Sequence, residues 1–143
     1  MQYFLWRGDG PCLHPSIPIT REGLKVAEIG AGTGYGSPLY LFQFSNHLES
    51  IWLTDFARAL PPSAQLDGFD LDTSQVPPPE WLPPNVSVRH LNCLEPFPEE
   101  LIGKYDIVHV QFFNLAIQNR DPVPIVENLL TLLSELPIVY ALL

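Results

Sequence analysis

Apolar residues along this chain come in short runs, each closed by glycine, proline or an acid. Leu24–Ile29 is one such run, ended by glycines, as suits a buried strand feeding a tight turn. From Ile51 to Leu60 the spacing turns helical. Trp52, Phe56, Ala59 and Leu60 share a face, Asp55 and Arg58 lie off it, and Pro61-Pro62 stops the run. Gln65–Asp70 reads as a second strand that ends in acid, and Val86–Leu91 alternates as a third. Asp72–Pro84 between them is a proline-broken connection with space for a short helical turn, and Pro98–Ile102 reads as another short helix. Tyr105–Phe113 is almost continuously apolar, the pattern of a parallel strand covered on both faces. Asp121 has N-cap chemistry and Pro122 suits the first helical position, which opens a helix to about Leu133. Ile125, Leu129, Leu132 and Leu133 form its apolar face, and Pro137–Leu143 fits a last strand. Residues 1–23 show no period and read as an irregular lead-in.

Strands alternating with helices predict an α/β fold, a Rossmann-like parallel sheet with flanking helices in a single domain. A hydrophobic share of 46% supports a packed core rather than disorder. Ligands of such sheets bind at the carboxyl ends of the strands. Four places fall there: the glycine turn after Ile29, Asp70, Leu91-Asn92-Cys93 and Gln111–Asn114.

Composition narrows the function classes. Seven Lys+Arg against 16 Asp+Glu leave a net charge of −9, which repels phosphate backbones and argues against nucleic-acid binding. Cys12 and Cys93 form neither a disulfide framework nor a CxxC pair, so a reduced, cytoplasmic setting is expected. No apolar run approaches the roughly 20 residues that cross a bilayer, so no membrane partner is expected. The first ten residues also lack an apolar signal core. His14, His47 and His90 have no carboxylate or cysteine at ligand spacing, so no metal site is expected. His109 sits inside an apolar strand, where the core reading outweighs that of a catalytic base.

Gly30, Gly32 and Gly34 alternate in the string Glu28-Ile29-Gly30-Ala31-Gly32-Thr33-Gly34. Glycine permits positive φ and lets a ligand approach the backbone, so the turn's N–H groups are expected to face one. The spacing is not the Gly-x-Gly-x-x-Gly of dinucleotide enzymes, because positions 35 and 37 are Tyr and Ser. S-adenosylmethionine (SAM) has no pyrophosphate; it offers a carboxylate and an ammonium, for which both N–H donors and the acid Glu28 are useful. Asp70 can accept both ribose hydroxyls, with Asp67 and Asp72 competing for that assignment. The Asn92 side-chain carbonyl can accept from an adenine amino group; an ordinary turn asparagine is the competing reading.

Five strings now combine: Leu24–Gly34, Ile51–Asp70, Pro78–Val86 with its Pro-Pro-Glu-Trp-Leu-Pro-Pro-Asn-Val run, Leu101–Val110 and Asn119–Leu133. Together they resemble fungal class I SAM-dependent methyltransferases of secondary metabolism over most of residues 13–133. The resemblance implies a seven-stranded sheet and methyl transfer from SAM to an oxygen, nitrogen or carbon of a small-molecule acceptor. It implies Glu28, Gly30, Gly32 and Gly34 at the methionine part of SAM, Asp70 at the ribose and Asn92 at the adenine.

The chain also departs from that pattern. Tyr35–Ser50 is a 16-residue stretch without counterpart and reads as an insertion or a translated intron. Without it, the acid would follow the glycine motif by about 20 residues, as the pattern requires. Ser134–Leu143 diverges where the family has a Lys-Pro-Gly-Gly turn and a further strand, so an incomplete class I methyltransferase fold is expected. The N-terminal segment that helps cover SAM is short, and Asn92 stands where the family usually has Asp. A catalytically inactive methyltransferase-like fragment or an interaction module is the alternative to an active enzyme.

Overall fold

A computed structural model describes residues 18–31, 52–74, 76–110 and 121–141. Its strands are β1 (Lys25–Ile29), β2 (Gln65–Asp70), β3 (Val86–His90), β4 (Tyr105–Val110) and β5 (Leu133–Ala141). They form one sheet in the order β3-β2-β1-β4-β5, with every neighbouring pair parallel. All six residues of β4 are buried, which accounts for its unbroken apolar pattern.

Two helices, α1 (Trp52–Ala59) and α2 (Val123–Leu130), pack on different faces of the sheet. Leu53, Phe56, Ala57 and Leu60 close over Val26, Leu66 and Ile107. Ile125 and Leu129 close over Ala27, Ile29, Phe69, Val108 and Val110. The α/β layering predicted from the sequence is present, and alternation along β1 and β2 sends successive side chains to the two cores.

Several boundaries differ from the sequence reading. The buried stripe of α1 is Leu53, Phe56, Ala57 and Leu60, the i, i+3, i+4, i+7 set, while Ala59 is exposed. Asp121 Oδ1 accepts the Val123 N–H at 3.0 Å, as its cap chemistry suggests, but Pro122 occupies the cap position and the helix begins one residue later. The helix stops at Leu130 rather than near Leu133. Gly103 and Tyr105 donate their N–H groups to Thr131 O at 2.8 Å and Leu132 O at 2.9 Å, which draws the chain onto the sheet. Leu133 therefore opens β5, four residues before the expected strand start at Pro137. Register passes from Tyr105↔Leu133 to Ile107↔Ile138, so β5 bulges between these pairs and accommodates Pro137, which has no N–H for a ladder. The short helices in the two loops are single 3-10 turns, Pro79–Trp81 and Glu99–Leu101.

Candidate cofactor site

The chain reverses its winding at β1, which lies between β2 and β4, and the carboxyl ends at such a switch point form a crevice. The glycine turn leaves β1 there. Gly30 has φ 75°, in the left-handed region that favours glycine. Its N–H and that of Ala31 both donate to Phe69 O, at 2.8 and 3.0 Å. The turn is thus stitched across the end of β2, and its first two N–H groups serve the sheet rather than facing outward. Gly68 makes this closeness possible. A Cβ at position 68 would lie 2.9 Å from the Ala31 Cβ and 3.1 Å from Leu53 Cδ2. Gly32 and Gly34 lie outside the described residues, as do Tyr35–Ser50 and Gln111–Asn114.

Glu28 is opposite Gly68 in β2 and His109 in β4. The residue is 4% exposed and its Oε1 stands 3.3 Å from His109 Nδ1. Burial raises its pKa above the ordinary carboxylate value; His109 and the Leu53 backbone counter this in part, and Asp70 adds to the rise. Glu28 therefore holds the floor of the turn against β4 and the first turn of α1. His109, 1% exposed, is its core partner, in agreement with the core reading of that residue.

The three acids around the end of β2 separate by environment. Asp70 is the last residue of the strand, half-buried, and its Oδ1 accepts the Asp72 N–H at 2.9 Å. Leu91 N–H donates to Asp70 O at 2.9 Å, which joins the β2 end to the loop after β3. Asp72 is exposed and its Oδ1 accepts the Ser74 N–H; the Ser74 hydroxyl first and this N–H second hold its pKa down. Asp67 belongs to neither group. It lies about 10 Å back along the strand and is 2% exposed. It accepts from Tyr105 Oη at 2.7 Å, Ser87 Oγ at 2.7 Å and Lys104 Nζ at 3.1 Å. Burial pushes its pKa up, but the hydrogen bonds from Tyr105, Ser87 and Lys104 outweigh that and hold it below the usual value. Asp67 is an internal tie between β2, β3 and β4, so it does not compete with Asp70.

Asn92 begins the loop after β3. Its Oδ1 accepts the Leu94 N–H at 3.1 Å and its Nδ2 donates to Glu95 Oε1 at 3.0 Å. One lone pair of Oδ1 remains for an outside donor. Cys93 follows, half-buried, with burial raising its thiol pKa. Asn128 of α2 donates through Nδ2 to Cys93 O at 2.9 Å and Glu95 O at 2.8 Å. This tie escapes the sequence reading, although an asparagine beside buried Leu129 inside a helix is a signal, since asparagine is a poor helix former.

Glu28, Gly30, Asp70 and Asn92 therefore stand at the carboxyl ends of three adjacent strands. The positive-φ turn at Gly30 and the remaining lone pair of Asn92 Oδ1 fit a ligand laid along these ends, while Gly68 lets the turn itself pack close against β2. A separate cavity of about 390 Å³ lies beside β3 under Pro77–Pro79, and none of these residues lines it. Among the described residues no group of three His, Cys, Asp or Glu could hold a metal ion. Among them, too, no helix is long and apolar enough to cross a membrane.

No family model matches the chain. It is 36% identical over 112 residues to the N-methyltransferase tcpN of Claviceps purpurea (strain 20.1), covering 78% of this chain and 34% of that protein. It is 34% identical over 110 residues to the methyltransferase grgD of a Penicillium species, covering 77% of this chain and 35% of that protein. The chain thus spans about a third of the length of these relatives. Its fold is similar to the citrinin polyketide synthase CMeT domain, with TM-score 0.62 at 17% identity, over 84% of this chain and 28% of that one. It is also similar to the trans-methyltransferase CalH, solved with SAH, with TM-score 0.51 at 22% identity, over 83% of this chain and 31% of that one. The chain is a homologue of fungal secondary-metabolism methyltransferases, and its five-stranded parallel sheet is that of the Rossmann-like class I methyltransferases.

Proposed function

We propose that this chain is the SAM-binding part of a methyltransferase that acts on a small-molecule acceptor in fungal secondary metabolism, in a cytoplasmic setting. The observation that carries the reading is the gathering of the Gly30 turn, Asp70 and Asn92 at the ends of β1, β2 and β3. In this reading Glu28, Gly30, Gly32 and Gly34 form the methionine end, Asp70 receives the ribose hydroxyls and Asn92 Oδ1 receives the adenine amino group. SAM supplies a methyl group already activated as a sulfonium. The chain's own residues bind and orient it, and the gain in rate comes from alignment of the acceptor. In this reading His109 takes no part in proton transfer, which its burial in β4 against Glu28 supports.

Calorimetric titration of S-adenosylhomocysteine into the 143-residue chain tests the proposal. Micromolar binding, lost on Asp70→Ala, is the expected result. No binding by the wild-type chain would favour the inactive-module reading.

A further inference from the structure

The loop after β3 is tied to α2 by one side chain. A carboxamide nitrogen carries two hydrogens, and Asn128 directs one to Cys93 O at 2.9 Å and the other to Glu95 O at 2.8 Å. Inside the loop, Asn92 closes a second set of bonds. Its Oδ1 takes the Leu94 N–H, its Nδ2 reaches Glu95 Oε1, and its backbone carbonyl takes the Glu95 N–H at 3.2 Å. The two asparagines meet at Glu95, which accepts from one through its side chain and from the other through its backbone. The orientation of the Asn92 carboxamide therefore depends on a helix more than thirty residues further along the chain.

We propose that Asn128 is a positioning residue for the adenine end of the nucleoside cofactor. By fixing the Cys93 and Glu95 carbonyls it holds the Leu91–Glu95 loop, and with it Asn92 Oδ1, in the shape that receives the base. Asn128 itself touches no ligand in this scheme. The inference rests on the cofactor reading above. Its physical basis is preorganisation: a loop released from α2 must be ordered during binding, and that cost comes out of the affinity.

A merely structural tie would lower stability without changing how folded molecules discriminate between bases. The experiment compares the full wild-type chain with Asn128→Ala and with the isosteric Asn128→Asp, which sets an acceptor against two carbonyls. Hydrogen exchange on the ligand-free proteins reads the loop directly. The Leu94 and Glu95 amides are expected to exchange about tenfold faster in both variants, with β1 and β4 amides unchanged. Calorimetry then compares S-adenosylhomocysteine with S-inosylhomocysteine, whose base lacks the 6-amino group. The variants are expected to bind the adenosyl compound about tenfold more weakly, with a smaller change for the inosyl compound, so that the preference narrows. Unchanged loop exchange, or an unchanged preference, in variants of a wild type that binds would overturn the assignment of Asn128 alone. A wild type that binds neither compound would overturn the cofactor reading and this inference together, and that failure is visible before any substitution. Should Asn128→Ala not fold, Asn128→Asp carries both measurements.

Discussion

Gly68→Ala tests the packing on which the glycine turn depends. Gly68 is not needed for a positive φ; the backbone at this strand position suits any residue. The restriction is space. An added Cβ would meet Ala31 Cβ at 2.9 Å, Leu53 Cδ2 at 3.1 Å and Val88 Cγ2 at 3.2 Å, all inside ordinary carbon–carbon contact. Leu53 and Val88 can yield by small rotations, but the Ala31 Cβ moves only with its backbone, which hangs from Phe69 O by two hydrogen bonds. Overpacking of this kind costs about 1–3 kcal/mol, and the reduced freedom of the unfolded alanine chain returns about 0.4–1 kcal/mol. The net expectation is a loss of about 1–2 kcal/mol, or about 3–8 °C in Tm for a chain of this size. Urea and thermal unfolding followed by circular dichroism measure it. Gly23→Ala is the control for backbone strain, since Gly23 has φ 67° and nothing within 4 Å of an added Cβ. Ala31→Gly in the Gly68→Ala background removes the closest contact and should restore part of the loss. A Gly68→Ala protein as stable as wild type, or a double variant no better than the single one, would refute the steric account.

Other outcomes follow from the ionisable groups. Asp67→Asn should destabilise the protein by about 2–4 kcal/mol at neutral pH, because Lys104 and Tyr105 lose a buried charged acceptor. The folded pKa of Asp67 is depressed, so its contribution is full above the ordinary value near 3.9 and is lost as pH falls through and below it; wild type should therefore lose more stability than Asp67→Asn between pH of about 5 and 3, and parallel urea curves would count against the tie. Glu28 has the opposite sign: its folded pKa is raised, so its contribution is present below about 4.3 and falls away as pH climbs through the folded value. Glu28→Gln should accordingly gain on wild type as pH rises, and a constant gap in the same unfolding assay would show the carboxyl is not strained by burial. Asp70→Ala should weaken S-adenosylhomocysteine binding at least about tenfold by loss of charge-assisted bonds to the ribose; unaltered affinity in calorimetry would remove Asp70 from the site.

The strands that face both cores are the most legible elements. β2 matches the sequence reading residue for residue, since an acid ends it and prolines flank it on both sides. β4 is equally plain because both its faces are buried. β5 is not, since a proline inside a strand reads as a boundary, and only the bulge opposite β4 makes room for it. The apolar face of α1 is legible at Phe56 and Leu60 but not at Ala59, which is exposed while Leu53 and Ala57 complete the buried stripe.

The site divides along a similar line. Position along a strand can be read locally, which is why Asp70 stands out as the final residue of β2. Occupancy of a side chain cannot, because it depends on partners distant in sequence. Asp67 and Asp70 are chemically the same residue three positions apart, yet Tyr105, 38 residues on, and Lys104, 37 residues on, claim the first and leave the second at the crevice. The same holds for His109, whose partner Glu28 is supplied by strand order alone, and for Asn128, whose two acceptors come into reach only when α2 packs beside the end of β3. What converts a motif into a binding site here is the assignment of neighbouring polar groups to the fold, which ties Asp67 into the sheet and sets Asp70 at the strand end beside the glycine turn.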